Sequence, residues 1–338
     1  MADYININGN NIPIRASDPS NPILGEVWYN LTTNALKGRA VTTAAWASGG
    51  TYPFTGRIMF GAGTQTAAVI AGGYNGTAHV TTGNHYDGST WTSSPSLNTT
   101  KGLGGSAGEQ TSAVAFGGNG PPGANLTDSQ DYDGSAWTSI SSMPTGNQEN
   151  VGFGTQTAAV SAGGTNDYDI TLEWNGSAWS SEGNMNVLGA GKISAGTQTA
   201  GLVAGGNDSP GVISAATEHY DGSTWTSTGA NMSVPRAQIY GSSTIASSGR
   251  DFAIAAGGTS SVGPSPPDYS TASTDVYDGT SWSATANMST ARYGTVLGDK
   301  TAAMVVAGYA NPPGANISPA ATEEFTGSVP TTVTFSSS

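Results

Sequence analysis

A five-residue motif recurs along most of this chain and constrains its fold more than any other feature. Gly-Thr-Gln-Thr-Ala begins at Gly63, Gly154 and Gly196, and looser copies begin at Gly108, Ser248 and Gly298, at spacings of 42 to 52 residues. Each copy opens a run of small apolar side chains that ends in a glycine pair, or in Gly-Tyr in the sixth copy. Self-similarity at this period indicates an array of supersecondary units. We therefore expect six similar units rather than unrelated domains.

A second motif follows each apolar run and places a tight turn between two aromatic residues. It reads HYDGSTW from His85, DYDGSAW from Asp131, EWNGSAW from Glu173, HYDGSTW from His219 and VYDGTSW from Val276, whereas the sixth copy, EEFTGSVP from Glu323, has no Trp. Asp-Gly or Asn-Gly between strand-like segments predicts a two-residue hairpin. The structural tryptophans of the repeat are Trp46, Trp91, Trp137, Trp179, Trp225 and Trp282. Together the motifs predict four strands per unit, a to d from the inside outward.

Four-stranded units of this length are typical of β-propeller blades. The glycine pair, the Tyr and the Trp, at Gly72, Tyr86 and Trp91 in the first copy, resemble the kelch repeat, although the step from Tyr to Trp is one residue shorter than the kelch pattern. The resemblance covers about residues 46 to 330. It implies an all-β fold, a six-bladed kelch-like β-propeller with four-stranded blades. Kelch propellers serve many roles, so the resemblance leaves the activity open.

The two ends of the repeat array are incomplete in complementary ways. Residues 42–46 read as the end of a blade, whereas the sixth copy has Pro330 where the others have Trp. We therefore predict that the strand around Trp46 completes the sheet of the sixth repeat. In the alternative, residues 331–335 supply that strand and Trp46 lies in an extra edge strand. The predicted domains are an N-terminal arm and hairpin at 1–40 and a propeller at 41–338 that shares strands between the termini.

Composition narrows the classes of function. Of the 338 residues, 49 are Gly, 10% are charged and none is Cys, which argues against long surface helices, disulfides and thiolate metal sites. No apolar run of membrane-spanning length and no secretion signal occur, so we expect no membrane span and synthesis in a host cytoplasm. The net charge of -13 repels phosphate backbones, so nucleic acid is not an expected partner.

The first forty residues lie outside the repeat and read as a Pro-punctuated extended arm, followed by a hairpin of Val27–Asn30 against residues 35–37. The predicted attachment residues are Ile12, Pro13, Ile14, Trp28 and Tyr29. This segment, with its Pro-rich lead, Gly-x-x-Trp-Tyr-Asn and a Thr/Asn turn before Leu-Lys, resembles segments of phage fibre and virion proteins, especially those of marine tailed bacteriophages, where they often precede GTQTA-type repeats. The resemblance implies a virion location, tail or capsid proteins as partners, and a homo-oligomer.

The candidate catalytic residues fall on repeated positions. His85 and His219 occupy the residue before the first aromatic of the second motif, where the other copies have Asp131, Glu173, Val276 and Glu324. Such interchange indicates an isolated, exposed strand position. His79 lies in a b-to-c loop without an evident partner. The acidic or amide residue before each turn glycine is expected to stabilise its hairpin; these residues are Asp87, Asp133, Asn175, Asp221 and Asp278.

Two further patterns resemble ligand sites only superficially. Asp128, Asp131 and Asp133 have the rhythm of a calcium loop but lack its distal Glu. The glycine-rich segment from Gly102 has a spacing near that of a phosphate loop, but no helix is expected to follow it, so we predict a turn between strands a and b. No catalytic residue, metal or cofactor is predicted.

The loops between strands b and c vary in length and are the expected binding face. In a propeller blade they emerge on the same side as the d-to-a connections. Several contain prolines, which limit the entropy lost on contact. The predicted binding residues are Pro121, Pro122, Asn125, Pro264, Tyr269, Pro312, Pro313 and Asn316. A host surface glycan or protein is the expected ligand, and solvated loops or packing between virion subunits is the alternative.

Three functions are compatible with these features. The first is a non-enzymatic phage virion structural protein, a tail fibre or adhesin that is anchored by its N-terminal arm and presents the loop face to the host surface. The second is a capsid decoration or head-fibre protein. The third is a polysaccharide-active or galactose-oxidase-like propeller enzyme. The third is disfavoured because it needs an apposed carboxylate pair or a copper site that includes Cys.

Overall fold

The computed structural model describes residues 12–166, 168–207, 212–239, 249–260, 270–310 and 319–335. These residues form β-strands and one 3-10 turn, η1 (Arg250–Phe252), and since that turn has three residues, no described helix could span a membrane. The strands are β1 (Ile14–Arg15), β2 (Val27–Asn30), β3 (Ala35–Val41), β4 (Ala45–Ser48), β5 (Phe60–Thr64), β6 (Ala67–Ala71), β7 (Gly83–Tyr86), β8 (Trp91–Ser94), β9 (Gly105–Glu109), β10 (Ser112–Phe116), β11 (Asn119–Gly120), β12 (Ala124–Asn125), β13 (Ser129–Tyr132), β14 (Trp137–Ile140), β15 (Val151–Thr155), β16 (Ala158–Ala162), β17 (Thr171–Trp174), β18 (Trp179–Ser181), β19 (Ile193–Thr197), β20 (Ala200–Ala204), β21 (Ala216–Tyr220), β22 (Trp225–Asn231), β23 (Ile254–Ala256), β24 (Thr274–Tyr277), β25 (Trp282–Ala284), β26 (Tyr293–Gly298), β27 (Ala302–Tyr309), β28 (Thr322–Thr326) and β29 (Pro330–Phe335).

The chain divides into two compact units, and each sheet is antiparallel except where β1 joins β2. The first, the arm unit, comprises Met1–Ala44 and Gly327–Ser338, and the second, the repeat unit, comprises Ala45–Thr326. The repeat unit contains sheet 1 (β5–β8), sheet 2 (β9, β10, β13, β14), sheet 3 (β15–β18), sheet 4 (β19–β22), sheet 5 (β23–β25) and sheet 6 (β26–β28 and β4). Sheet 5 has three described strands, and the predicted innermost strand of that repeat lies outside the described residues. This series of four-stranded sheets is consistent with a propeller-like fold.

Sheet 1 shows how the repeat motif produces its strands. The Thr-Gln-Thr turn joins β5 to β6, in register from Phe60 opposite Ala71 to Thr64 opposite Ala67. The glycine pair ends β6 in positive φ, 67° at Gly72 and 95° at Gly73. A Cβ on Gly72 would lie 2.6 Å from the carbonyl oxygen of Lys101, so the close approach of the next connection also requires glycine there. The glycine-rich segment from Gly102, predicted to be a turn, instead leads into and forms β9, because its small residues occupy the innermost strand of sheet 2.

The strand around Trp46 pairs with the sixth repeat, as predicted. In β4 and β28, Trp46 lies opposite Phe325 and Ala45 opposite Thr326, and the Trp46 and Phe325 ring centroids are 5.2 Å apart. The alternative that residues 331–335 complete this sheet is wrong, because β29 pairs with β3 of the arm unit, from Pro330 opposite Val41 to Phe335 opposite Leu36. The boundaries also differ from the predicted 1–40 and 41–338, since Gly327–Ser338 belongs to the arm unit.

The glutamine of the GTQTA motif joins each sheet to its predecessor. The side-chain amide of Gln110 donates to the carbonyl oxygens of Ala68 at 3.1 Å and Tyr86 at 2.8 Å, which lie in sheet 1. Gln156 and Gln198 bond in the same way to sheets 2 and 3, and Gln65 to Ala303 and Phe325 of sheet 6. In sheets 5 and 6, Arg250 and Lys300 replace the glutamine. They donate to the backbone carbonyl oxygens of Tyr220 and Tyr277. The motif therefore encodes contacts between units as well as a turn.

Threonines of neighbouring sheets hold four of the six repeat tryptophans. The indole N–H groups of Trp46, Trp91, Trp225 and Trp282 donate to the hydroxyls of Thr274, Thr322, Thr171 and Thr217 at 2.8 to 3.1 Å. In the sheets next to Trp137 and Trp179, the position of this threonine is occupied by Gly83 and Ser129. The indole nitrogens of Trp137 and Trp179 are buried without a hydrogen-bond partner. The threonine three residues before the aromatic is thus part of the repeat's packing pattern.

Candidate binding surfaces

Three of the predicted loop residues lie in the described part of the chain. Pro121, Pro122 and Asn125 are exposed in the short hairpin of β11 and β12, where Asn119 pairs with Asn125. The other five predicted loop residues, Pro264, Tyr269, Pro312, Pro313 and Asn316, lie outside the described residues. The hairpin therefore presents an ordered, proline-containing tip in the b-to-c connection of sheet 2.

The predicted attachment residues separate into surface and core. Ile14 is 67% exposed and Pro13 is exposed, whereas Ile12 and Tyr29 are half-buried. Trp28 is fully buried, so it offers no free surface. Sequence reasoning missed this because an exposed and a buried Trp look alike until the strands that cover it are known.

A single carboxylate organises the arm unit around Trp28. Asp18 accepts hydrogen bonds from the indole N–H of Trp28 at 3.0 Å and from the amide of Asn30, and its other oxygen lies 2.7 Å from the ammonium of Lys37. The Lys37 hydrogen bond, with those of Asn30 and Trp28, lowers the pKa of Asp18 to about 2. Asp18 thus ties the proline-rich lead to both strands of the hairpin.

Large apolar side chains are exposed mainly in the arm unit. Among the described residues, seven of the ten exposed large hydrophobic side chains belong to it: Ile14, Ile23, Leu24, Leu31, Val41, Val329 and Phe335. The other three, Leu188, Val212 and Phe252, are spread over the much longer repeat unit. This concentration of exposed apolar side chains makes the arm unit the candidate contact surface among the described residues.

The two histidines of the second motif have partners, which corrects the expectation of isolated exposed positions. Nε2 of His85 lies 3.0 Å from the hydroxyl of Tyr132 in sheet 2, and Nε2 of His219 lies 3.0 Å from that of Tyr277 in sheet 5. Glu173 and Glu324 have the same role, since they accept hydrogen bonds from Tyr220 and Tyr86. Burial lowers the pKa of both histidines.

The acidic or amide residues before the turn glycines form the hydrogen bonds that were predicted for them. Oδ1 of Asp87 accepts the backbone N–H groups of Ser89 and Thr90 at 2.8 and 2.7 Å, and these bonds lower its pKa. The equivalent residues Asp133, Asn175, Asp221 and Asp278 form the same turn bonds. Within the described ranges no three His, Asp or Glu side chains are grouped so as to hold a metal ion.

Sequence reasoning did not identify one row of side chains on the loop side of sheets 1 and 6. In this row, the Arg57 row, successive side chains contact one another in the order His79, Tyr74, Arg57, Tyr309 and Tyr293. The Arg57 guanidinium carbon lies 5.0 Å from the Tyr74 ring centroid and 4.7 Å from that of Tyr309. The outer contacts are Tyr74 with His79 at 5.5 Å and Tyr309 with Tyr293 at 5.4 Å. All five residues are half-buried.

A signal for this row does exist in the repeats. The residue after the glycine pair is Tyr74 in the first copy, and Tyr309 follows Gly308 in the sixth, whereas the other copies have Asn119, Thr165, Asn207 and Thr259 there. Only the contacts between sheets 1 and 6 reveal that these two tyrosines are neighbours. A β-bulge in β27 between the pairings of Tyr293 and Thr295, with positive φ at Ala307 and Gly308, directs Tyr309 towards Arg57.

With this geometry in hand, comparison with known proteins bears on the fold alone. No family model matches the chain, and no curated protein matches it. Among solved structures, the one titled "Structure of YjhT" is similar, with a TM-score of 0.65 and 18% sequence identity over 80% of this chain and 95% of that one. At 18% identity, this similarity supports a shared all-β, propeller-like architecture and says nothing about function.

Proposed function

We propose that this chain is a non-enzymatic virion structural protein of a tailed bacteriophage, which attaches to the particle through its arm unit and presents the loops of its repeat unit to the host surface. The observation that carries the proposal is the concentration of exposed apolar side chains in the arm unit. Residues such as Ile23, at 73% exposure, and Leu24, at 64%, would be buried by a neighbouring virion subunit.

We further propose that the repeat unit is a closed six-bladed propeller of the kelch type. Contacts of sheet 1 with sheet 6 support closure: Gln65 donates to Ala303 and Phe325, and the Thr295 hydroxyl donates to the carbonyl of Met59 at 3.2 Å. Closure packs sheet 1 against sheet 6 and leaves only the short, protected sheet edges of a propeller. A crystal structure of the full chain tests the blade count, and any number other than six contradicts it.

The roles found for the candidate catalytic residues support a binding function over an enzymatic one. His85, His219, Glu173 and Glu324 each bond a tyrosine hydroxyl of the next sheet, so their recurrence is explained by packing. An enzyme would instead need groups of matched roles that converge on a substrate.

Site-specific photo-crosslinking in intact particles tests the attachment role. A photoreactive residue at Ile23 is expected to cross-link to another virion protein, whereas the same residue at exposed Thr90 in the repeat unit serves as the matched control. Cross-links to tail subunits support the fibre or adhesin function, and cross-links to capsid subunits would replace it with capsid decoration. Equal, background-level cross-linking at both positions would show that the arm unit does not attach the protein.

A further inference from the structure

We propose that the Arg57 row binds a single carboxylate-bearing sugar unit, such as a terminal hexuronic acid of a surface glycan. This inference deepens the proposed function, on which it rests, by naming the chemical class of ligand at the loop face. The Arg57 guanidinium, which would bind the carboxylate, lies between two tyrosine rings.

Arg57 differs from the other cations of the repeat unit in that its side chain has no hydrogen bond or ion pair among the described residues. Lys101, Arg236 and Arg292 form ion pairs with Asp128, Asp275 and Glu323. Arg250, Lys192 and Lys300 donate to backbone carbonyl oxygens. The contacts of the Arg57 side chain are the faces of Tyr74 and Tyr309, so its N–H donors are available in the plane between the rings.

The row is held rigidly in place by its backbone. Arg57 and Tyr74 exchange two backbone hydrogen bonds, at 3.1 and 3.0 Å, and the Gly308 N–H donates to the Gly56 carbonyl at 2.7 Å. The loop beyond Tyr74 is closed by Asn75, whose Oδ1 accepts the N–H groups of Thr77 and Ala78. A guanidinium that is already fixed loses little entropy when it binds, which favours recognition over a freely mobile surface arginine.

The chemistry of the row matches a sugar acid. A planar guanidinium binds a carboxylate through two parallel N–H···O bonds, and the flanking tyrosines offer apolar ring edges and polar hydroxyls beside it. Sugars present a matching combination of apolar C–H groups and polar hydroxyls. The row has one unpaired cation in a chain of net charge -13, so a ligand with a single carboxylate fits better than a polyanion.

The position of the row agrees with the predicted binding face. Arg57 lies in a d-to-a connection and Tyr74 in a b-to-c connection, which emerge on the same side of a propeller-like sheet. The predicted binding residues Pro312, Pro313 and Asn316 follow Tyr309 closely in the sequence and lie outside the described residues.

Saturation-transfer NMR and titration of the full chain with methyl β-glucuronide, against methyl β-glucoside, test the proposal. We expect the glucuronide to bind in roughly the millimolar range, as a monovalent ligand does, and the glucoside at least tenfold more weakly. Arg57→Gln should weaken glucuronide binding at least tenfold. Arg15→Gln, which makes the same change of charge at an exposed ion pair of the arm unit, should leave it unchanged.

Several outcomes would overturn the inference. Equal binding of glucuronide and glucoside, no detectable binding of glucuronide, or an Arg57→Gln variant that binds normally would each do so. Equal binding of N-acetyl-glycylglycine would assign the row to peptide carboxylates instead. If Arg57→Gln does not fold, Arg57→Lys, which keeps the charge but not the planar fork, should weaken binding severalfold, and unchanged binding in that folded variant contradicts the proposal.

The result can be separated from that of the attachment test. Absent glucuronide binding together with specific cross-links at Ile23 would reject this inference and retain the virion function. Glucuronide binding without cross-links would reject the virion function and retain a carbohydrate-binding protein.

Discussion

The hydroxyl of Tyr132 lies 3.0 Å from Nε2 of His85, which belongs to the preceding sheet, 47 residues earlier in the chain. The same relationship recurs wherever the next sheet supplies a tyrosine: His219 with Tyr277, Glu173 with Tyr220 and Glu324 with Tyr86. Where the next sheet has Trp174 or Phe325, which lack a hydroxyl, the partner positions are Asp131 and Val276. The residue before each aromatic is therefore matched to the following repeat.

A double-mutant cycle on this pair should show coupling. Tyr132→Phe removes the hydroxyl that contacts His85 and donates to the Gly134 carbonyl at 2.9 Å, so we expect a loss of about 1–2 kcal/mol in the free energy of unfolding. With His85→Ala, the combined loss should be smaller than the sum of the single losses by about 0.5–1.5 kcal/mol. Urea denaturation measures all three variants, and strict additivity would contradict a direct hydrogen bond.

Acidification should destabilise the repeat unit through the same histidines. Burial lowers the pKa of His85 and His219 below the value of about 6.5 for an unfolded chain, and the charge of Arg250 lowers that of His219 further. As the pH falls through 6.5, the unfolded chain binds protons first, so stability that is complete above pH 6.5 is lost as the pH falls through the folded pKa values.

The measurement is the unfolding midpoint at pH 7.5, 6.5 and 5.5. The variant His85→Gln/His219→Gln keeps a side-chain amide N–H that can donate to each tyrosine oxygen but cannot titrate. We expect it to show a shallower decline than the parent over this range. Parallel curves for the two proteins would exclude these histidines as the source.

The glutamine between sheets allows a graded series. Gln110→Ala removes two hydrogen bonds to Ala68 and Tyr86 and should lower the free energy of unfolding by about 1–3 kcal/mol. Gln110→Glu should be worse, because it places an acceptor against two carbonyl oxygens. Gln110→Lys should come nearest to the parent, since Lys300 makes the equivalent contact to Tyr277 in sheet 6. Thermal denaturation gives the order, and a Glu variant as stable as the Lys variant would refute the role.

The buried ion pair of Arg292 and Glu323 should be strongly coupled. Arg292 lies 2.5 Å from Oε1 of Glu323, whose Oε2 accepts from the Ser289 backbone and hydroxyl at 2.7 Å. Burial raises the pKa of Glu323, but the Ser289 bonds and Arg292 together lower it, so the carboxylate is charged. Arg292→Met should cost about 3–5 kcal/mol, because it leaves this charge buried and unpaired.

A second substitution provides the control for that loss. Gln130 occupies the same position in sheet 2 and accepts from the Asn98 backbone at 2.8 Å without a charge of its own. Arg292→Met/Glu323→Gln should therefore be more stable than Arg292→Met alone in urea denaturation. A double variant that is less stable would mean that the carboxylate is not the source of the penalty.

Asp18 offers a test confined to the arm unit. Asp18→Ala removes the acceptor shared by Trp28, Asn30 and Lys37, so hydrogen exchange should accelerate in β1 and β2. Exchange in β13 and β16 should stay unchanged, because these strands belong to the repeat unit. Mass spectrometry with peptide resolution measures both, and uniform acceleration in the two units would contradict the localised effect.

The local structure could be predicted from the sequence, whereas most contacts between repeats could not. The GTQTA and Tyr-Asp-Gly motifs placed the turns and strands correctly, because turn chemistry is set by neighbouring residues. The partner of Trp46 could be predicted because one repeat lacked what the N-terminal segment had. Residues 331–335 could not be assigned in the same way, since an alternating Thr/Val strand fits either sheet and only the tertiary pairing with β3 decides.

At the candidate sites, too, the contacts between repeats could not be predicted from the sequence. Interchange of His85 with Asp131 and Val276 predicts an isolated, exposed position, because the tyrosine that His85 contacts belongs to the next repeat. The Arg57 row joins side chains from the first and sixth repeats, and Tyr74 and Tyr309 are far apart in the chain. A pattern within one repeat cannot reveal a contact of that kind.

The pairing of β4 with β28 sets an order on biosynthesis. Residues 45–48 emerge from the ribosome before any of the sheets that follow, yet their partner in sheet 6 is made almost 280 residues later. At about 5–20 residues per second, this segment waits on the order of tens of seconds as an unpaired strand. Sheets 1 to 4 are complete from local segments as they are made. The last step in folding the repeat unit therefore joins its first-made strand to its last-made ones, after translation has passed residue 326.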